Sequence, residues 1–236
     1  MKGLFVTGTD TGVGKTALCA LLLAEMRRRN FNAAPIKPVQ TGCGDDVPDL
    51  DYALSMAGMK VSQDDYRNMA PYTYGPACSP HLAAELNGSE IDIAEVVIAA
   101  RTLASEYEFI VAEGAGGIMV PLNRRETTLD LMQALKFPVL IAARPGLGTI
   151  NHTLLSIRTL RADGLDIAGV VFVASDEREP GIIEEDNALT IEQFGKVPVL
   201  GTIPYCRQLT GPTPSYADLP IPVVAEVEKI VNRLSI

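Results

Sequence analysis

Two lysines, a threonine and a glutamate of this 236-residue chain stand where phosphate chemistry could use them. Lys15 and Thr16 close the run Gly8-Thr9-Asp10-Thr11-Gly12-Val13-Gly14-Lys15-Thr16, which follows a short apolar stretch and leads into a long helical pattern. Glycines let backbone N–H groups crowd round a phosphate, and the helix behind them turns its positive end toward it. In such a loop the lysine reaches the β- and γ-phosphates and the hydroxyl ligates Mg2+. Five residues separate Gly8 from Gly14, one more than the usual motif allows, so Thr9 takes the usual first-glycine position. Strand, glycines, lysine, threonine and helix in this order predict a nucleoside triphosphate site. Its cradle would be Gly12, Val13, Gly14, Lys15, Thr16 and Ala17.

A second apolar run ends in Lys37-Pro38-Val39-Gln40-Thr41-Gly42. A lysine leaving a strand at the same edge as Lys15 can hold a γ-phosphate and neutralise charge that develops in phosphoryl transfer. A third, Phe109-Ile110-Val111-Ala112-Glu113, ends in an acid followed by Gly114-Ala115-Gly116-Gly117. Glu113 with Thr16 offers the hard oxygen ligands Mg2+ prefers, and the glycines admit a ligand close to the backbone. Between them, Asp45-Asp46-Val47-Pro48-Asp49-Leu50-Asp51 enters a helix. Most of these carboxylates complement the helix N-terminus, and one is within reach of the metal. After a fourth apolar run, Arg144-Pro145-Gly146-Leu147-Gly148-Thr149-Ile150-Asn151-His152 opens a helix whose N–H groups suit a carboxylate. His81 and His152 both sit in helix openings and read as cap-region or packing residues.

The elements that must position these groups alternate along the chain. Strand-like runs at 4–7, 33–38, 109–112, 139–142, 169–174 and 199–203 are continuously apolar, so both faces should be covered. Helical patterns lie at 15–29, 50–57, 93–105, 129–135, 151–163, 182–194 and 223–234. The expected fold is α/β, a doubly wound, mostly parallel sheet with helices on both faces, of P-loop NTPase type, as one domain over 1–236. Ligands in such sheets sit beyond the carboxyl ends of the strands. Residues 210–222, with four prolines, read as a surface loop. A net charge of −9 argues against nucleic acid or an anionic membrane as the main partner. Four scattered cysteines without CxxC spacing and only two histidines make a structural zinc site a poor reading and free thiols the better one. No charged leader, h-region or span-length apolar run is evident, which gives an expectation of a cytoplasmic protein.

Together with Pro71-Tyr72-Thr73, Ser79-Pro80-His81 and Gly201-Thr202-Ile203-Pro204, these motifs resemble the dethiobiotin synthetase family over most of the chain. The resemblance implies that 7,8-diaminononanoate takes up CO2 as a carbamate, ATP phosphorylates it, and the second amine closes a ureido ring with release of phosphate and ADP. It implies that Lys15 and Lys37 flank the γ-phosphate and carbamate, with Thr11 assisting, and that Thr41 lies near the substrate. Thr16, Glu113 and an aspartate of the next helix would bind Mg2+; Asp49, nine residues before Gly58, is the expected one and Asp51 its rival. The nucleotide would also meet Gly114, Ala115 and Gly116. The family's adenine-contacting asparagine is replaced by Val173-Ala174-Ser175-Asp176, leaving Ser175 or the backbone of Pro204, Tyr205 and Cys206 for the base. Gly12 stands where relatives often carry an acid. The family also implies a homodimer in which Gly148 and Asn151 of one subunit bind the substrate carboxylate in the other's site. Two rivals fit less well. An amidating synthetase would bring a glutaminase domain with a nucleophilic cysteine, and a partitioning ATPase carries a further lysine where Thr9 and Asp10 stand.

Overall fold

The computed structural model describes residues 1–44, 46–178, 181–211 and 214–234. The strands are β1 (Gly3–Gly8), β2 (Ala33–Ile36), β3 (Val39–Thr41), β4 (Tyr72–Tyr74), β5 (Phe109–Gly117), β6 (Val139–Ala143), β7 (Ile167–Val173) and β8 (Val199–Ile203). Six of them form one sheet in the order β2-β5-β1-β6-β7-β8, every pairing parallel. The helices are α1 (Lys15–Arg28), α2 (Pro48–Met56), α3 (Gln63–Met69), α4 (Pro80–Leu86), α5 (Ile93–Glu106), α6 (Thr128–Leu135), α7 (Thr149–Ala162), α8 (Ile182–Gly195) and α9 (Ile221–Arg233).

Side chains alternate across a strand, and here both sets are apolar and buried. Leu4, Val6, Leu140 and Val171 pack with α1, α2 and α9 on one face. Phe5, Ile141, Val170 and Phe172 pack with α5, α6, α7 and α8 on the other. This is the doubly wound α/β architecture expected of the continuous runs. Among the described residues no helix is long and apolar enough to cross a membrane.

Three expectations change. The run at 33–38 is not one strand. Pro38 has no N–H for the ladder, so β2 ends at Ile36. The chain resumes as β3, which pairs with β4 in a separate two-stranded sheet through Val39↔Tyr72, Gln40↔Thr73 and Thr41↔Tyr74. The run at 109–112 continues to Gly117, so Glu113 lies within β5 rather than at its end. It sits opposite Val6, and the register then slips so that Gly8 pairs with Gly117. That irregularity falls just before the Gly8–Gly14 turn leaves β1.

The proline-rich segment is likewise no simple surface loop. Short 3-10 turns at Arg207–Thr210 and Tyr216–Asp218 fold back over α1 and α2, and Leu219 is buried. Tyr52 Oη donates to the Leu209 carbonyl at 2.7 Å and Ser55 Oγ to that of Pro214 at 3.1 Å. Pro220 and Pro222 open α9. Asp45, Pro212 and Thr213 lie outside the described residues.

Candidate active site

The turn between β1 and α1 is built for an anion. Gly12 and Gly14 take φ of 70° and 88°. A Cβ on Gly14 would stand 2.5 Å from Val173 Cγ1, so the loop packs against the end of β7 only as glycine. The first turn of α1 holds no acidic residue, as is also true of α4, α7 and α9, so no carboxylate of its own compensates its N-terminus. The positive end of α1 is therefore left for a ligand. Lys15 Nζ donates to the Asp10 carbonyl of its own loop at 2.9 Å. Burial, with the Lys37 charge adding, holds Lys15 below the usual lysine value against the pull of Glu113. Arg144, from the loop after β6, donates to the Thr11 carbonyl at 3.3 Å.

A charged cluster faces this loop. Lys37 Nζ lies 2.6 Å from Glu113 Oε1 and 2.6 Å from Asp49 Oδ2, and Thr16 Oγ1 donates to the same Glu113 oxygen at 2.8 Å. Lys37 and Glu113 are buried, being only 6% and 5% exposed. Burial pulls the Lys37 ammonium down, but Glu113 and Asp49 outweigh it and hold the group above the usual lysine range. Burial, with Asp49 adding, pushes the Glu113 carboxyl up against Lys37 and Thr16. Burial thus drives the Glu113 shift and opposes that of Lys37, whose charge is held by its two carboxylate neighbours.

These groups line a cleft of about 980 Å³ at the carboxyl edge of the sheet. It brings together Thr11, Gly12, Gly14, Lys15, Thr16, Ala17, Lys37, Thr41, Asp49, Glu113, Ala115 and Gly116 from the sequence expectation. Val13 and Gly114 are buried off the cleft; Gly114 follows Glu113 on a strand, so it faces Phe5 on the opposite side of the sheet. Pro204, Tyr205 and Cys206 follow β8, beside the end of β7, where Ala174 N donates to the Ile203 carbonyl at 3.0 Å. Gly148 and Asn151 are exposed at the start of α7 and do not line the cleft. Asp51 is turned elsewhere, accepting from Tyr66 Oη at 2.7 Å. Sequence reasoning missed Gln40, Tyr52, Ser79 and the segment Leu209, Thr210, Gly211, all of which line the cleft. Gln40 had a signal in its place between Lys37 and Thr41, and Ser79 in the Ser79-Pro80-His81 motif; Tyr52 and residues 209–211 arrive through long-range folding.

Thr16, Glu113 and Asp49 offer oxygen donors alone, the chemistry Mg2+ favours. Among the described residues no three His, Cys, Asp or Glu side chains converge as a metal cage. Such a donor set fits a Mg2+ that completes its coordination with phosphate oxygens and water rather than with protein alone.

A family model described as an AAA domain matches residues 2–213. ATP-dependent dethiobiotin synthetase BioD of Anaeromyxobacter dehalogenans is 46% identical over 171 residues, covering 72% of this chain and 76% of the relative. The protein of that name from Novosphingobium aromaticivorans is 41% identical over 215 residues, covering 90% and 92%. Among solved structures, a chain of the MinC:MinD cell division protein complex of Aquifex aeolicus superposes with a TM-score of 0.65 at 15% identity, covering 100% of this chain and 96% of that one. The septum site-determining protein MinD of Pyrococcus horikoshii, complexed with Mg-ADP, superposes at 0.61 with 14% identity, covering 99% and 94%. At such identities the likeness to the MinD proteins is one of fold.

Proposed function

The chain belongs to the ATP-dependent dethiobiotin synthetase family, and on that premise we propose that the cleft beside α1 and α2 is where 7,8-diaminononanoate, CO2 and ATP are joined. Members are carbon–nitrogen ligases that close a ring. In this reading one amine of the diamine adds to CO2 and loses a proton, giving a carbamate. A carbamate oxygen attacks the γ-phosphorus, the bond to the β-phosphate oxygen breaks, and ADP leaves. The second amine attacks the carbamoyl carbon of the mixed anhydride and gives up a proton, and phosphate departs as the ureido ring closes. The substrate supplies both nucleophiles, so the protein's work is positioning and charge stabilisation.

Lys15 and Lys37 would flank the γ-phosphate and the carbamate, with Thr11 at the phosphates and Thr41 beside the diamine. Mg2+ bound with the nucleotide supplies charge neutralisation for the phosphate oxygens, and Thr16, Glu113 and Asp49 are the residues that would hold it. The observation that carries this assignment is the meeting of Lys37, Asp49, Glu113 and Thr16 within 2.8 Å contacts, directly beside the Gly12–Lys15 turn. Ser175 or the backbone of Pro204, Tyr205 and Cys206 would take the base. The working unit would be a cytoplasmic homodimer in which Gly148 and Asn151 reach the diamine's carboxylate in the partner subunit. Supporting this, both are exposed and off the cleft, next to a fully exposed Leu147.

The test is phosphate release from ATP with Mg2+ and bicarbonate, with and without 7,8-diaminononanoate, following ring-closed product by mass. Diamine-dependent release matched by product is expected. ATP binding without diamine stimulation would overturn the assignment and favour a partner-gated ATPase. Light scattering of the protein in solution checks the dimer.

A further inference from the structure

The helix that carries Asp49 cannot cap itself. Its N-cap residue is Val47, whose side chain accepts no hydrogen bond, and its first residue, Pro48, has no N–H. The first amide that needs an acceptor is that of Asp49 itself. Gln40 Oε1 supplies one at 3.2 Å, reaching from β3 across the cleft wall. Because Asp49 N–H is a donor, the Gln40 atom facing it must be the carbonyl oxygen. A second tether lies one turn away. Tyr66 Oη accepts from Val47 N at 3.3 Å and donates to Asp51 Oδ1 at 2.7 Å. Burial, with the Asp51 carboxylate adding, raises the Tyr66 phenol to about 12. The start of α2 is thus held from outside at two points, and its position decides where the Asp49 carboxylate stands relative to Lys37 and Glu113.

We propose that Gln40 is a positioning residue for the reaction: as a cap supplied from another strand, it sets the first turn of α2 so that Asp49 meets the cation accompanying the nucleotide. Gln40 is buried, lines the same cleft as Asp49, and is fixed by β3–β4 pairing and by the Cys43 thiol on its own carbonyl. Its carboxamide therefore works from a rigid base, as a positioning group must. Tyr66 and Asp51 do the same from the α3 side, which gives Asp51 a structural task distinct from that of Asp49. This rests on the reading of Asp49 as part of the Mg2+–nucleotide site.

Three variants of the full chain test it. Gln40→Met keeps the side-chain length and removes the acceptor. Val47→Thr in that background puts an acceptor back at the N-cap, where a hydroxyl can take the Asp49 N–H. Asp49→Asn probes the premise. The readouts are Mn2+ affinity of the complex with a non-hydrolysable ATP analogue, by electron paramagnetic resonance, and amide exchange over residues 48–56. For Gln40→Met we expect Mn2+ binding weakened about tenfold and faster exchange at the start of α2, with kcat at saturating Mg2+ within about twofold of the parent. Val47→Thr should restore most of the affinity. Unchanged Mn2+ affinity in Gln40→Met, alongside weakened binding in Asp49→Asn, overturns the positioning role and leaves the premise standing. A loss of kcat in Gln40→Met with no shift in metal affinity also overturns it. Unchanged affinity in Asp49→Asn overturns the premise, and the positioning role with it.

Discussion

Replacing Lys37 by methionine separates what the ammonium does for the fold from what it does for the reaction. The side chain keeps its approximate volume, but a buried charge bonded at 2.6 Å to both Glu113 and Asp49 is lost. Removing one partner of a buried ion pair costs about 3–5 kcal/mol, because the remaining charge is stranded. Asp49 keeps 31% of its side chain exposed, so solvent takes up part of its charge and the loss should fall near about 3 kcal/mol. The pH dependence identifies the cause. In the parent the Lys37 pKa is raised by folding, so its stabilisation is fully present below the ordinary lysine value and is lost only as pH rises through the folded one. In the variant, Glu113 loses its counter-ion while burial still pushes it up. A carboxyl whose folded pKa is raised binds its proton more readily when folded, so stability rises as pH falls toward it. The variant should therefore be less deficient at about pH 5 than at about pH 8, measured as denaturant midpoints. Catalysis loses a donor aimed at developing charge, about 3–4 kcal/mol, or two to three orders of magnitude in kcat/KM for diamine-dependent product formation. A folded variant with kcat/KM within threefold of the parent would refute the catalytic role. A stability loss identical at both pH values would refute the electrostatic account.

Gly14→Ala forces a side chain onto a φ of 88° and against Val173, so ATP affinity by calorimetry should fall at least tenfold, with about 1–2 kcal/mol of backbone strain; unchanged affinity would contradict the cradle. Glu25, fully buried on α1, accepts from Arg28, Arg29 and Tyr216. Burial raises its carboxyl, but those three bonds outweigh it and hold the group below the usual glutamate value. Its stabilisation is therefore present above that value and lost as pH falls through the folded one. Glu25→Gln should lower stability at neutral pH by about 1–3 kcal/mol and flatten the acid limb of the melting-temperature profile. An acid limb parallel to the parent's would count against this.

Local pattern carried far in this chain because its chemistry lies close to strand ends. Continuous apolar runs are what a two-faced parallel sheet demands, so the six sheet strands and the longer helices could be read directly, whereas the seven-residue α3 and α4 are too short to carry a helical period of their own. The Gly8–Thr16 turn is legible for the same reason: backbone conformation, phosphate-sized space and helix terminus all derive from adjacent residues. The breaks came where a residue's neighbours are distant in sequence. Nothing local says that the strand holding Glu113 continues to Gly117, because what carries it past glycines that read as a turn, Gly116 at a φ of 63° among them, is the pairing of Gly117 with the distant Gly8. Nor could composition show that the proline-rich segment lies over α2, where Tyr52 and Ser55 tie down its carbonyls.

By itself the sequence determined the α/β class and the place of the Gly8–Thr16 turn, which follow from residue order and short-range periodicity, while the family was legible through the resemblance of its motifs to known members. Only the tertiary structure decided which aspartate stands beside Lys37. Asp49 and Asp51 are two residues apart on one helix and so point in different directions, about 200° apart round its axis. What turns Asp49 toward Lys37 and Asp51 toward Tyr66 is the placement of α2 by Gln40 and Tyr66, groups from β3 and α3 that meet it only when the chain has folded.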